Sequence, residues 1–184
     1  MVSQKLKGKE WYQIVTPKFL GEVVIGETPA LDASNLPGRT IETSLTDITG
    51  DISRYYVKLF FKVSEINGQK AFTKFLGHDT TRDFIARIVQ TRTTRIDTSE
   101  IITLADSVKF RIKSIAITNR TVSNLVETSL RNGIREKVIE EVSKLTTEQF
   151  VKELLAGTLQ QKIKKSASKI YPLRFFEFRK TEVL

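Results

Sequence analysis

The sequence predicts an α+β protein in which a largely antiparallel, barrel-like β-sheet carries packed helices and follows a flexible basic N-terminal arm. Three observations predict it. Residues 11 to 120 are rich in short β-branched and aromatic runs with a period of two. From Thr121 the apolar period lengthens to about three and a half, as an amphipathic helix requires. Asn67-Gly68 joins two strand-forming runs, the signal of a hairpin with a type I′ turn. The regular strand-helix alternation of a parallel α/β sheet is absent. The expected organisation is an arm over 1–10 and one domain over 11–184, β-rich to about 120, helical over about 121–170, with a final strand at about 173–179.

Residues 1 to 10 are polar and basic, with Lys5, Lys7 and Lys9 around Gly8, and offer little apolar surface to anchor them. "WYQIV" and "FLGEVVIG" read as strands separated by Pro17. "ETPALDASNLPGRT" lacks periodicity and reads as a surface loop ending at the Pro37-Gly38 turn, with Arg39 beyond its tip. In the hairpin "YYVKLFFKVSEINGQKAFTKFLG", Tyr55, Val57, Leu59, Phe61 and Val63 share one face. Tyr56, Lys58, Phe60 and Lys62 share the other. "DTTRDFIARIVQ" is a short helix, with Thr80 and Asp83 spaced as a capping box and a stripe of Phe84, Ile85, Ile88 and Val89.

"RIDTSEIITL" and "SVKFRIKSIAITN" are two further strands. The helical stripe after them is Val122, Leu125, Val126, Leu130, Ile134, Val138, Val142 and Leu145, with Gly133 as the point where a kink is expected. "TTEQFVKELLAG" opens a second helix with a Thr146/Gln149 capping box and ends at Gly157. A basic helix with the thin apolar stripe Leu159, Ile163 and Ala167 follows, stopped by Pro172.

Charge narrows the function. Thirty Lys and Arg against twenty-one Asp and Glu give a net +9 in 184 residues, with a sequence pI near 9.8. That balance implies a polyanionic partner, nucleic acid first and an anionic membrane surface second. Seven bases face two acids over residues 158–184, so the excess grows toward the C-terminus. No cysteine occurs, which excludes a disulfide framework, a thiolate metal site and a cysteine nucleophile. An intracellular chain is the simplest expectation, and no apolar run approaches the ~20 residues of a membrane helix.

Enzyme machinery is not in evidence. There is no phosphate-binding glycine loop, no His-Glu-x-x-His, no EF-hand loop and no nucleophile elbow. His78 is the sole histidine and reads as a hydrogen-bonding residue rather than a general base. Asp47 and Asp51 are read as turn formers, with a divalent-ion role as the alternative. No enzyme activity, cofactor or metal is expected.

The cationic residues form sets. Lys109, Arg111 and Lys113 alternate along one strand and share a face, where three like charges repel unless an anion relieves them. Lys58 and Lys62 interleave with aromatics, as suits base stacking beside phosphate contacts. Lys162, Lys164, Lys165 and Lys169 lie on the basic helix, and Arg174, Arg179 and Lys180 on the last strand. With Lys5, Lys7, Lys9 and Arg39 these are the expected RNA-binding residues. Their dispersion favours a protein embedded in a large nucleic acid over one with a single ligand groove.

Four stretches, "KEWYQIVTPKFL", "LPGRTIETSLTDITGD", "TKFLGHDTTRDF" and "KIYPLRFFEFRKTEVL", occur in an order and spacing that resemble the small-subunit ribosomal proteins of archaea and eukaryotes called S-one-e or S-three-A-e. The short length looks archaeal. Ala33 departs from the proline of the family's Asp-Pro pair, and "RIVQTRTTRID", which includes Arg87, Arg92 and Arg95, is less arginine-rich than its pattern. The resemblance implies a structural component of the small ribosomal subunit, bound to ribosomal RNA on the platform side near the messenger RNA exit. It also implies neighbouring ribosomal proteins as partners, a cytoplasmic ribosomal location, no membrane and no catalysis. The competing expectations are a free RNA-binding module or messenger RNA regulator, and a metal-dependent nuclease using Asp47 and Asp51.

Overall fold

The computed structural model describes residues 8–184, so Lys5 and Lys7 of the expected arm lie outside the described residues. Among them are eight strands, mostly antiparallel, and five α-helices. The chain forms two compact units, one ending at Leu76 and one running from Gly77 to Leu184.

The first unit holds β1 (Glu10–Val15), β2 (Val24–Ala30), β3 (Thr40–Ser44), α1 (Leu45–Thr49), β4 (Val57–Asn67) and the first seven residues of β5 (Lys70–Thr80). Its strands run in the order β2-β1-β5-β4-β3, with β1 and β5 parallel. Strand alternation sets the burial: Val57, Leu59, Phe61 and Val63 of β4 are buried, as expected, and Phe61 meets Phe75 edge-on. Tyr12, Ala30, Leu36, Val63 and Ala71 form a core cluster on the same side.

Three local expectations change here. "FLGEVVIG" is not one strand, because Lys18–Leu20 forms a 3-10 turn closed by Gly21 at φ 94°. β2 instead runs on to Ala30, into the stretch expected to be loop, because Glu10 to Val15 offers it a full antiparallel partner. Pro29 is tolerated there because β2 is an edge strand and needs no outward donor. In the hairpin, Asn67 ends β4 and the turn residues are Gly68 and Gln69. Gly68 alone has positive φ, 61°, so the type I′ geometry, which requires two such residues, is not adopted.

The second unit holds the end of β5, α2 (Arg82–Ile88), β6 (Arg95–Thr103), β7 (Lys109–Thr118), α3 (Asn124–Val142), α4 (Thr147–Ala156), α5 (Thr158–Ala167) and β8 (Leu173–Val183). Its strand order is β5-β8-β7-β6. In neither unit does a strand pairing among the described residues close the path into a barrel. Helices α3 and α5 pack on β6 and β8, and Phe150 of α4 meets Phe110 of β7 edge-on with centroids 5.4 Å apart. The helices therefore cover the face of β7 that carries Phe110 and Ile112.

The capping box of α4 forms as expected, with Thr146 and Gln149 reciprocating, and Gly157 ends the helix at φ 78°. The box expected for α2 does not form. Thr80 belongs to β5, its hydroxyl donating to the Phe178 carbonyl, and Thr81 occupies the N-cap position without a side-chain bond. α3 passes Gly133 without interruption; the missing Cβ makes room for Ile170. Of its expected stripe Leu125 is 83% exposed, lying in the first turn of the helix, while Leu130, Ile134, Val138 and Val142 are buried. β8 extends past Arg179 to Val183 because β7 supplies partners as far as Phe110.

Candidate nucleic-acid interface

The cationic ladder lies on the face of the second unit's sheet opposite Phe110 and Ile112. Register places Glu182 beside Arg111 and Lys180 beside Lys113 on β8, and Asp79 of β5 beside Lys180. On the other side β6 sets Thr103, Ile101 and Ser99 beside Lys109, Arg111 and Lys113. A register shift between Lys113 and Ser114 inserts an extra residue into β8. Such a bulge turns two consecutive side chains toward one face. Lys180 stands opposite Lys113, and Arg179 reaches Asp97 across the same face at 4.0 Å. Arg95 grips Asp97 from within β6 with bonds of 2.8 and 3.1 Å.

One carboxylate answers the ladder internally. Glu182 pairs with Lys180 and lies 3.9 Å from Arg111. The Lys180 ammonium donating to it, reinforced by the charges of Lys113 and Arg111, holds its carboxyl below the usual glutamate range. A cross-strand acid, which lies 69 or more residues away in sequence, thus relieves part of the repulsion among the three charges. The relief is incomplete. By register Lys109, Arg111, Lys113, Arg179, Lys180 and Arg95 share this side with Asp97, Glu182, Asp79 and Glu177, whose carboxylate accepts from Gln160, leaving two positive charges in excess, with Lys109 in no ion pair. A cationic surface with long, half-exposed side chains suits a run of phosphates.

The remaining candidates are placed elsewhere. The α5 lysines are on the helical side of the sheet, so the structure does not bring them to the ladder. Lys162 bonds Glu153 at 3.1 Å, and Lys164 donates to the Arg174 carbonyl at 2.8 Å. Lys165 and Lys169 are exposed, and Lys162 and Lys165 line a groove with Lys137, Glu141, Ile163 and Ser166. Arg174 donates to the Gln90 side chain. In the first unit Lys9 and Lys62 are exposed, and Lys58 bonds Glu42 at 2.6 Å. Arg39 is tied to its own sheet through the Thr28 hydroxyl at 2.8 Å and the Pro29 carbonyl at 3.1 Å. Sequence reasoning missed Arg95 as a member of the ladder face, since the pairing of β6 with β7 is what brings it there.

The groups with catalytic potential are occupied structurally. His78 is buried, with Nε2 2.9 Å from the Phe178 carbonyl and Nδ1 2.7 Å from the Thr181 hydroxyl. Asp47 completes the capping box of α1 with Ser44, and Asp51 accepts from the Ser53 backbone at 2.9 Å. The Ser53 side chain, and after it the Ser53 backbone N–H, lower the Asp51 pKa by hydrogen bonding to its carboxylate. Both aspartates thus act as cap and turn formers. Among the described residues no three His, Cys, Asp or Glu cluster as metal ligands.

Comparison with known proteins agrees with this picture of a basic scaffold. The profile of the Ribosomal S3Ae family matches residues 1–184, the entire chain. The chain belongs to that family. Among its relatives is the small ribosomal subunit protein eS1 of Saccharolobus solfataricus, 37% identical over 183 residues that cover 100% of this chain and 88% of the relative. The eS1 protein of Sulfurisphaera tokodaii is 38% identical over 183 residues, covering 100% and 95% respectively. The match extends through both compact units.

Proposed function

We propose that this chain is a structural constituent of the small ribosomal subunit in the cytoplasm, holding ribosomal RNA on the ladder face of its second unit. Membership of the S3Ae family, with relatives named as small-subunit proteins that match over 88% and 95% of their length, carries the proposal. The face of Lys109, Arg111, Lys113, Arg179 and Lys180 supplies the chemistry. Phosphate contacts of this kind fix position and orientation without reading sequence, which is what a scaffold protein needs. Lys9, Arg39, Lys62, Lys165 and Lys169 add phosphate contacts outside the ladder. The sequence resemblance supports a place on the platform side near the messenger RNA exit, among other ribosomal proteins. No enzymatic step is assigned.

Two measurements test this. In a sucrose gradient of native lysate the protein should co-migrate stoichiometrically with small subunits at both low and high salt; a free 21 kDa species would refute residence in the subunit. Replacing Lys109, Arg111 and Lys113 by Gln should weaken binding to ribosomal RNA across sequences. Each lost phosphate contact should lower the slope of log K against log salt by roughly 0.7 to 0.9. An unchanged slope removes the ladder from the interface.

A further inference from the structure

The first unit has a second surface of different chemistry. Along β4 the residues facing away from the core are Lys58, Phe60 and Lys62, with the lysines exposed and the ring half-buried. β5 repeats the pattern with Lys70, Phe72, Lys74 and Leu76, its intervening Ala71, Thr73 and Phe75 being buried. β1 extends the face. Gln13 stands in register with Lys70, so Trp11, two residues earlier, projects to the same side, and the residue is 60% exposed.

The acids on this face are Glu42, which pairs Lys58, Glu27, in register with Gln13, and Glu65, exposed beside Ile66, which packs on the core cluster. Four lysines against three carboxylates leave the surface positive by one charge. Along either strand a ring lies roughly 7 Å from the next lysine, given the rise of a β-strand.

We propose that this face is a platform for single-stranded RNA, on which Trp11, Phe60 and Phe72 stack unpaired bases while Lys58, Lys62, Lys70 and Lys74 contact the intervening phosphates. The proposal rests on the RNA-binding reading above only in taking RNA as the polyanion. Its residues are distinct from the ladder and lie in the other compact unit. Rings at the level of a sheet can stack only on bases that are not already stacked in a duplex, so the surface selects single strands. A protein partner is disfavoured because lysine is depleted from protein interfaces, whereas here it takes every second outward position on both hairpin arms.

Trp11 is the sole tryptophan of the chain, so its emission reports on this face alone. Full-length protein is titrated with a short single-stranded RNA of mixed sequence and, separately, with the duplex of that sequence. The single strand should quench Trp11 and the duplex should not. Phe60→Leu with Phe72→Leu keeps apolar bulk but removes the rings, and should weaken single-strand binding about tenfold or more without changing the salt slope. Lys62→Gln with Lys70→Gln and Lys74→Gln should lower that slope and spare duplex binding; this variant decides the matter if the ring variant does not fold.

The ladder variant separates the two proposals. If the Lys109, Arg111 and Lys113 replacements abolish duplex binding while Trp11 quenching by the single strand persists, both surfaces are established as independent. Absence of quenching, or equal loss of single-strand and duplex affinity in the ring variant, overturns the platform and leaves the ladder standing. Failure to bind either RNA overturns both.

Discussion

Lowering the pH tests the packing of the second unit through its one imidazole. A carbonyl can only accept, so His78 Nε2 carries the proton it gives to Phe178, and Nδ1 accepts from the Thr181 hydroxyl. The Thr181 hydroxyl oxygen also accepts from the His78 backbone N–H at 3.2 Å. Protonating Nδ1 would break this arrangement and place a charge in a buried site. Burial accordingly pushes the pKa from 6.5 down to about 4, against the opposing effects of the Phe178 bond and the Asp79 charge. Between those values the unfolded chain binds a proton that the folded chain refuses. Stability from this residue is therefore full above pH 6.5 and is lost as the pH falls through about 4.

The gap, at about 1.4 kcal/mol per pH unit, amounts to roughly 3 kcal/mol. Urea unfolding of the wild type and of His78→Gln, measured from neutral pH down to about pH 4, isolates it, because the carboxylates titrate in both proteins. The stability advantage of the wild type should shrink by roughly 3 kcal/mol over that range. As the only histidine, His78 also gives an assignable ring signal in NMR, which should stay unshifted as the pH passes 6.5. A ring signal titrating near 6.5, or parallel stability curves, would refute the reasoning.

Glycine substitutions separate two kinds of space. A Cβ at Gly77 would lie 2.1 Å from the Thr181 carbonyl oxygen, and backbone cannot yield cheaply, so Gly77→Ala should part β5 from β8 and cost roughly 3 kcal/mol in urea unfolding. Wild-type stability in that variant would refute the close approach. A Cβ at Gly133 would meet only the tip of the Ile170 side chain, itself 47% exposed and free to turn. Gly133→Ala should therefore keep most of the roughly 1 kcal/mol helix-propensity gain and raise the melting temperature; a lowered one would show that Ile170 cannot move.

Local order was written in the residues themselves. The alternation of β4, the Thr146/Gln149 capping box, the Gly157 stop and the buried stripe of α5 each depend on neighbours within a few positions, and each formed where the pattern put it; the hairpin formed too, with its turn moved by one residue to Gly68 and Gln69. Side-chain period and capping chemistry act at that range, so one sequence suffices to read them. The four family stretches, distributed along the whole chain, likewise identified the S3Ae relationship without coordinates. The second aromatic-lysine arm, "KAFTKFL", carried the same alternation as the first and was there to be read.

Pairing decided the rest. Strand β2 displaced an expected loop because the preceding strand, up to 20 residues away, satisfied its backbone, and Thr80 left the α2 cap because β5 continues through it beside β8. The ladder shows the same division most directly. That Lys109, Arg111 and Lys113 share a face follows from the period of a strand alone. That Glu182 partly neutralises them, and that a bulge adds Arg179 and Lys180 beside them, depends on the register of β8 against β7. Register is set by long-range hydrogen bonding and core packing, so the net charge of the face was decided only when the chain folded.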